Sequence, residues 1–289
     1  ARPQVNEITK QMKLISKRIG SGAIGVTQGF IGATKRGETT TIGRGGSDFS
    51  ATIMGVALGA KEIQIWTDVA GIYTCDPRIV REAYALPVIA FEDASTMAFF
   101  GAKVLHPETI DPAVEAGIPV RVLSAKEPQK KGTTILTSPT DQIIVAGIAI
   151  KRNIILAKAS ASDATPLSST LPLIFAALGS KKIIPLASSI SSDNILFALE
   201  ASDNYSELHQ EIDRIAKLEF LSGRGLITLV GQGLKNNNGV AGRLFGALEK
   251  VNCEMISFGG TPNAIHIVVH EEEIETAVKK IHQEFFSPS

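Results

Sequence analysis

A chain of 289 residues is long for one average domain and suits two or three. Its 29 Lys plus Arg balance 29 Asp plus Glu, so no whole-chain field invites nucleic acid or an anionic membrane. Two cysteines, Cys75 and Cys253, cannot build a disulfide framework and fit a reducing cytosol. No apolar run is long enough for a bilayer, and the N-terminus lacks the layout of a signal peptide; a soluble cytoplasmic protein is expected.

Residues 4–19 place Ile8, Met12, Ile15 and Ile19 at helical spacing with Lys10, Lys13, Lys17 and Arg18 between them, which predicts an amphipathic helix. Ala23–Gly32 reads as a short apolar strand ending in glycines. Thr34–Gly46, dense in Gly, Thr and charge, reads as an exposed functional loop. Phe49–Leu58 predicts a buried helix of small residues and Glu62–Thr67 a strand. Strand, glycine loop, helix and strand in that order are the grammar of an α/β sheet domain. Helices near Asp93–Phe100 and Thr109–Ala116 lead to a strand at Pro119–Leu123. Ser124–Gly132 reads as a loop, with the basic cluster Lys126–Lys131 as solvated charge. A boundary falls around 138–145, at Ser138-Pro139-Thr140-Asp141.

The remainder carries an internal echo, because Phe175-Ala176-Ala177-Leu178 and Phe245-Gly246-Ala247-Leu248 share Phe-x-Ala-Leu. Each sits in a predicted helix followed by an apolar strand, Lys182–Ala187 or Cys253–Phe258. A second strand follows, Asn194–Leu199 or Ala264–Val269, and then a helix, Tyr205–Leu218 or Glu273–Phe285. Two small βαββαβ units in tandem are expected.

Three stretches carry chemistry. In Gly43-Arg44-Gly45-Gly46-Ser47-Asp48 the glycines let backbone N–H groups approach an anion at the start of a helix. Arg44 can grip a carboxylate through two parallel hydrogen bonds, and Asp48 can face an ammonium group; together they suit a zwitterionic amino acid. The plain alternative is a tight turn with a surface ion pair. In Trp66-Thr67-Asp68-Val69-Ala70-Gly71-Ile72-Tyr73-Thr74-Cys75-Asp76-Pro77-Arg78, Thr67 and Asp68 end an apolar strand, where open α/β sheets bind ligands. Arg78 can reach phosphate oxygens and Tyr73 can lie against a nucleotide; the alternative is a strand cap and a Pro-bearing turn. In Phe100-Gly101-Ala102-Lys103-Val104-Leu105-His106-Pro107, Lys103 can supply a positive charge for phosphates, while His106 reads as a packing residue. No metal-ligand spacing and no Ser-His-Asp set is evident.

These motifs, with Thr27-Gln28-Gly29-Phe30-Ile31-Gly32 ahead of them, occur together and in order, and the chain resembles the aspartokinases over nearly its whole length. The repeats look like ACT domains, modules that bind amino-acid effectors and pair across subunits. The resemblance implies a partial amino-acid-kinase (carbamate-kinase-like) α/β sheet domain over residues 1–142, then two ferredoxin-like α+β ACT repeats at 143–222 and 223–289. It implies phosphorylation of the L-aspartate side-chain carboxylate by ATP with Mg²⁺, opening the route to lysine, threonine, methionine and diaminopimelate. Phe30, Arg44, Gly45, Gly46, Ser47 and Asp48 would then line the aspartate site. Thr67, Asp68, Tyr73, Arg78, Lys103 and Val104 would line the ATP site, and Arg44, Asp48 and Lys103 would act in catalysis. An amino-acid effector and a homodimer through the ACT domains are expected. Glutamate 5-kinase, uridylate kinase and a purely regulatory ACT chain fit the motif set less well.

Two departures accompany the resemblance. The Lys-Phe-Gly-Gly-Thr motif that opens aspartokinases is missing, so the chain reads as N-terminally truncated, with little kinase activity of its own expected. Where lysine-sensitive members carry Gly-Phe-Leu and then an Asp in the first ACT repeat, this chain has Ser169-Thr170-Leu171 and Leu186. A leucine cannot pair with an effector's ammonium group, so lysine feedback through this repeat is not expected. The second repeat keeps the more typical Gly239-Val240-Ala241-Gly242-Arg243-Leu244-Phe245.

Overall fold

The computed structural model describes residues 3–19, 22–102, 107–139, 143–160, 166–201 and 205–287. It divides into two compact units, Ala1–Pro77 with Glu82–Ala146, and Arg78–Arg81 with Gly147–Ser289.

The first unit opens with α1 (Val5–Ile19), as the apolar spacing predicts, packed on α2 (Gly46–Leu58). Between them the expected strand at Ala23–Gly32 is mostly absent. Only β1 (Ile31–Ala33) forms, paired antiparallel with β2 (Thr39–Thr41). The physical reason is the lack of a neighbour. Among the described residues no strand lies beside 23–28, and Ile24 and Val26 stay 90% and 91% exposed. An unpaired segment has nothing to offset the entropy of straightening it. The stretch Thr34–Gly46, expected as open loop, is instead partly a hairpin. Its turn is closed by Thr34, whose Oγ1 accepts the N–H groups of Arg36 (3.3 Å) and Glu38 (3.2 Å).

α2 begins three residues before the predicted Phe49 and ends at Gly59, whose N–H returns to the Gly55 and Val56 carbonyls. The chain then reverses into β3 (Ile63–Thr67). A four-stranded sheet follows, with β4 (Val88–Ala90), β5 (Val120–Ser124) and β6 (Thr133–Leu136) in the order β3-β5-β6-β4. β3 and β5 run parallel, Ile63 opposite Val120 through Thr67 opposite Ser124. Helices α3 (Phe91–Phe99) and α4 (Asp111–Glu115) complete the unit. Ile53, Ala57, Ile63, Ile65, Ala113, Val120 and Val122 are buried. Burying each of the larger aliphatic side chains contributes about 1.5–3 kcal/mol.

The second unit is one six-stranded sheet in the order β11-β12-β10-β7-β9-β8. Its elements are β7 (Gly147–Ser160), α5 (Leu167–Ser180), β8 (Ala187–Ile190), β9 (Asn194–Glu200), α6 (Tyr205–Ile212), β10 (Lys217–Val230), α7 (Val240–Ala247), β11 (Met255–Phe258), β12 (Ala264–His270) and α8 (Ile274–Phe286). Helix, strand, strand, helix does recur in each half as the echo implies. The halves are interlaced as well as consecutive. Gly147–Lys151 of β7 pairs with Leu226–Val230 of β10, while Ile154–Ser160 pairs with Lys217–Arg224 and, on its other side, with β9. Both long strands break step between these halves, with Asn153 left-handed at φ 57 and Gly223 at φ 70.

Two predicted edges move. The strand expected at Lys182–Ala187 starts only at Ala187, after a left-handed Lys182 (φ 55) and a Pro185 that has no N–H to offer. The helix expected to reach Leu218 ends at Ile212, because Lys217 onward pairs with β7. On the first repeat's helical face, Ala157, Ala159, Ile195, Phe197, Leu199 and Leu218 meet Leu167, Ile174, Leu178, Leu208 and Ile212, the alternation a half-covered sheet requires.

Candidate active site

Gly29 and Phe30 are pressed onto the first turn of α2. Phe30 is left-handed at φ 71, a conformation uncommon outside glycine and concentrated at functional sites. It is held at both backbone atoms: its N–H donates to Ser50 Oγ at 3.2 Å, and its carbonyl accepts the Ile42 N–H at 2.8 Å. Ser50 Oγ in turn donates to the Gly46 carbonyl at 2.8 Å. A side chain at Gly46 would sit 3.1 Å from the Phe30 ring and 3.1 Å from Ile42 Cβ, so any larger residue would have to push the two segments apart by a few tenths of an ångström. The Gln-Gly-Phe and Gly-Arg-Gly-Gly-Ser-Asp motifs, separate in sequence, are thus one surface.

Gly45, left-handed at φ 69, is the N-cap of α2, and no side chain caps that end. The helix therefore presents its unsatisfied N–H groups and positive end beside Arg44, Ser47 and Asp48. Arg44 is exposed, and among the described residues no hydrogen bond or ion pair joins it to Asp48. The ion-paired surface turn is not what forms. Asp48 is half-buried, and loss of solvent holds its carboxyl above the ordinary aspartate range.

The second stretch lies where sheet geometry expects it. α2 runs about 20 Å and β3 about 17 Å in the opposite sense, joined by a short turn and packed together. The start of α2 and the end of β3 therefore share one end of the layer. There Thr67 Oγ1 donates to Asp68 Oδ1 at 3.2 Å, and the Thr67 carbonyl accepts the Ala125 N–H at 2.8 Å. Gly71 turns the chain at φ 135, hard against Thr133. Thr133 Oγ1 accepts the Ile72 N–H at 2.8 Å, and Tyr73, bridged to Ala85, is left half-buried at the rim. Neighbouring Cys75 is buried and its thiol is pushed up to about 12, which makes it inert.

Arg78 belongs to the short run that clusters with the second unit. Lys103, Val104 and His106 lie outside the described residues. Sequence reading missed Ser50 and Thr133, the residues that hold the two turns. Ser50, four positions after Gly46 in a helix of small residues, left a faint signal. Thr133 left none, since its partner is distant in sequence.

An anion-receptive helix start and a polar rim at one end of an α/β layer suit a domain that binds small anionic ligands, here in one chain with ferredoxin-like repeats. Comparison agrees: residues 4–124 match the amino acid kinase family and residues 227–285 match an ACT domain. The chain is 36% identical over 277 residues to lysine-sensitive aspartokinase 3 of Escherichia coli, covering 93% of this chain and 62% of the relative. It is 36% identical over 277 residues to chloroplastic aspartokinase 1 of Arabidopsis thaliana, covering 91% and 48%. Among solved structures, E. coli aspartokinase III with aspartate and ADP superposes at TM-score 0.82 with 34% identity, covering 99% of this chain and 66% of that one. Clostridium acetobutylicum aspartate kinase superposes at 0.88 with 27% identity, covering 96% and 66%. The chain belongs to the aspartokinase family, and it spans about half to two thirds of the length of these relatives.

Proposed function

We propose that the protein containing this chain is an aspartate kinase, transferring the γ-phosphoryl group of ATP to the side-chain carboxylate of L-aspartate to give 4-phospho-L-aspartate, the step that opens lysine, threonine and methionine synthesis. The observation that carries this reading is the joined surface of Phe30 and the Gly43–Asp48 turn, with a guanidinium that has no partner among the described residues and a carboxylate beside an uncapped helix start. Arg44 takes a carboxylate of aspartate, Ser47 and the backbone of Gly45 and Gly46 line it, and Asp48 faces the ammonium group. Thr67, Asp68 and Tyr73 line the nucleotide, with Arg78, Lys103 and Val104 assigned there by motif. The E. coli relative solved with aspartate and ADP supports both halves.

The attacking group is the substrate's own carboxylate, so no protein nucleophile is needed. Rate comes from in-line placement and from cations that offset charge on the transferred group. Mg²⁺ arrives on the phosphates of ATP.

Residues 1–142 serve as the kinase segment, and 143–222 and 223–289 as regulatory repeats that take an amino-acid effector. The repeats join across a homodimer. The E. coli relative solved with lysine and aspartate supports an amino-acid effector. Leu186, half-buried and carrying no charge, argues that a lysine ammonium group is not held at that position here. No helix among the described residues is long and apolar enough to cross a membrane.

Arg44→Ala in the intact enzyme tests the reading. Losing a bidentate charged contact costs on the order of 2–5 kcal/mol, so kcat/KM for aspartate should fall at least about 30-fold while KM for ATP stays within about threefold. Equal losses on both substrates would remove Arg44 from the aspartate site.

A further inference from the structure

The carboxyl end of β5 runs into Ser124–Gly132, a loop with three lysines, Lys126, Lys130 and Lys131, and one carboxylate, Glu127. By composition it is solvated charge. The structure fastens it to the Thr67–Tyr73 turn at both ends. At the near end the Ala125 N–H donates to the Thr67 carbonyl at 2.8 Å. At the far end Thr133 Oγ1, one residue past the loop, accepts the Ile72 N–H at 2.8 Å.

The loop is also tied within itself. Ser124 Oγ accepts the Glu127 N–H at 3.1 Å, the Glu127 carbonyl accepts the Lys130 N–H at 3.0 Å, and Arg121 Nη2 donates to the Lys131 carbonyl at 2.8 Å. A segment bonded this way is a fixed wall. On it, Lys130 Nζ stands 2.9 Å from Glu127 Oε2, both side chains about half exposed, and within electrostatic reach of Tyr73. An exposed Lys–Glu pair three residues apart is weak and easily screened. A polyphosphate bearing several charges competes well for the ammonium group.

We infer that the Ser124–Gly132 loop is the second wall of the nucleotide site, and that Lys130 is a binding residue which leaves Glu127 to contact an anionic oxygen of a nucleoside di- or triphosphate. This rests on reading the Thr67–Tyr73 rim as the nucleotide side of an aspartate kinase. Glu127 then acts as a stand-in anion that keeps Lys130 aimed along the wall when no nucleotide is bound.

Calorimetric titration of the 289-residue chain with MgADP, at low and at moderate salt, tests it with three variants. Lys130→Gln should weaken ADP binding about 5- to 20-fold and flatten its salt dependence, and Lys130→Arg should restore it to within about threefold. Glu127→Gln, which removes the competing carboxylate, should bind ADP as tightly as the parent or about two- to fivefold tighter. That opposite sign separates a charge contact from scaffolding. Unchanged affinity in Lys130→Gln, or equal weakening in Lys130→Gln and Glu127→Gln, would overturn the inference and leave the rim reading standing. A parent chain that binds no ADP would overturn both.

Discussion

Thr228 Oγ1 and His266 Nδ1 lie 3.1 Å apart across the β10–β12 pair, and Thr261 Oγ1 lies 3.3 Å from the other ring nitrogen. The ring is buried, and that burial lowers its pKa to about 4. A neutral imidazole can donate at one nitrogen and accept at the other, which suits a hydroxyl on each side. The unfolded chain titrates near the ordinary 6.5 and so takes up a proton that the folded ring refuses. The contribution is complete above about pH 6.5 and is lost as pH falls toward 4, a change on the order of 3 kcal/mol. Urea unfolding of the second unit at pH 7.5 and 4.5 should show this loss, and His266→Gln should flatten it.

The Arg224–Glu254 pair should matter more than the other ion pairs of this unit. Arg224 Nε and Nη2 each reach a Glu254 oxygen at 2.8 Å, and the side chains are only 14% and 17% exposed. The Arg224 hydrogen bond holds the Glu254 carboxyl below its usual range against the opposing effect of burial. The pair therefore stabilises the fold above the ordinary glutamate pKa and is lost as pH drops through the lower folded value. Glu254→Gln should cost about 1–3 kcal/mol, whereas Glu275→Gln, breaking the more exposed contact to Arg152, should cost under about 1 kcal/mol.

Thr133→Val should act at a distance from its own strand. It keeps the shape but leaves the buried Ile72 N–H without its acceptor, at about 1–3 kcal/mol. Chemical denaturation should register that loss, and nucleotide affinity should fall with it because the turn that presents Tyr73 is loosened. Thr133→Ser, which keeps the hydroxyl, should stay near the parent on both measurements.

Gly46→Ala probes the joint between the two substrate-side motifs. The added methyl would meet Phe30 and Ile42 at 3.1 Å, so the Phe30 segment must move by a few tenths of an ångström. In the intact enzyme KM for aspartate should rise by about tenfold or more while ATP use changes little. An unchanged KM would mean that Phe30 can shift without disturbing the Arg44 turn.

Much of the fold around the candidate site was legible because its signals are local. Apolar spacing marks α1, small residues mark α2, and Thr67-Asp68 stands visibly at the end of an apolar run. What escaped depends on partners far along the chain. The segment 23–28 has strand composition, yet composition cannot report that no neighbour lies beside it. Thr133 looks like any strand threonine until Ile72, 61 residues away, is found on its hydroxyl. The interlacing of the repeats escaped for the same reason: Arg152–Asn153 and Ser222–Gly223 merely interrupt apolar runs, and only the pairing shows that two strands pass through those points.

That shared pair of strands bears on any attempt to dissect the regulatory half. Cleaving between Ser222 and Arg224 would not release two self-sufficient modules, because Gly147–Lys151 would stay with the amino-terminal piece and take from the other piece's sheet the strand that flanks Leu226–Val230. The backbone groups on that side of Leu226–Val230 would face water, while the ladder to β12 on the other side remains. Melting of either module should therefore propagate into its neighbour, so a ligand that tightens one repeat also stiffens the other without touching it.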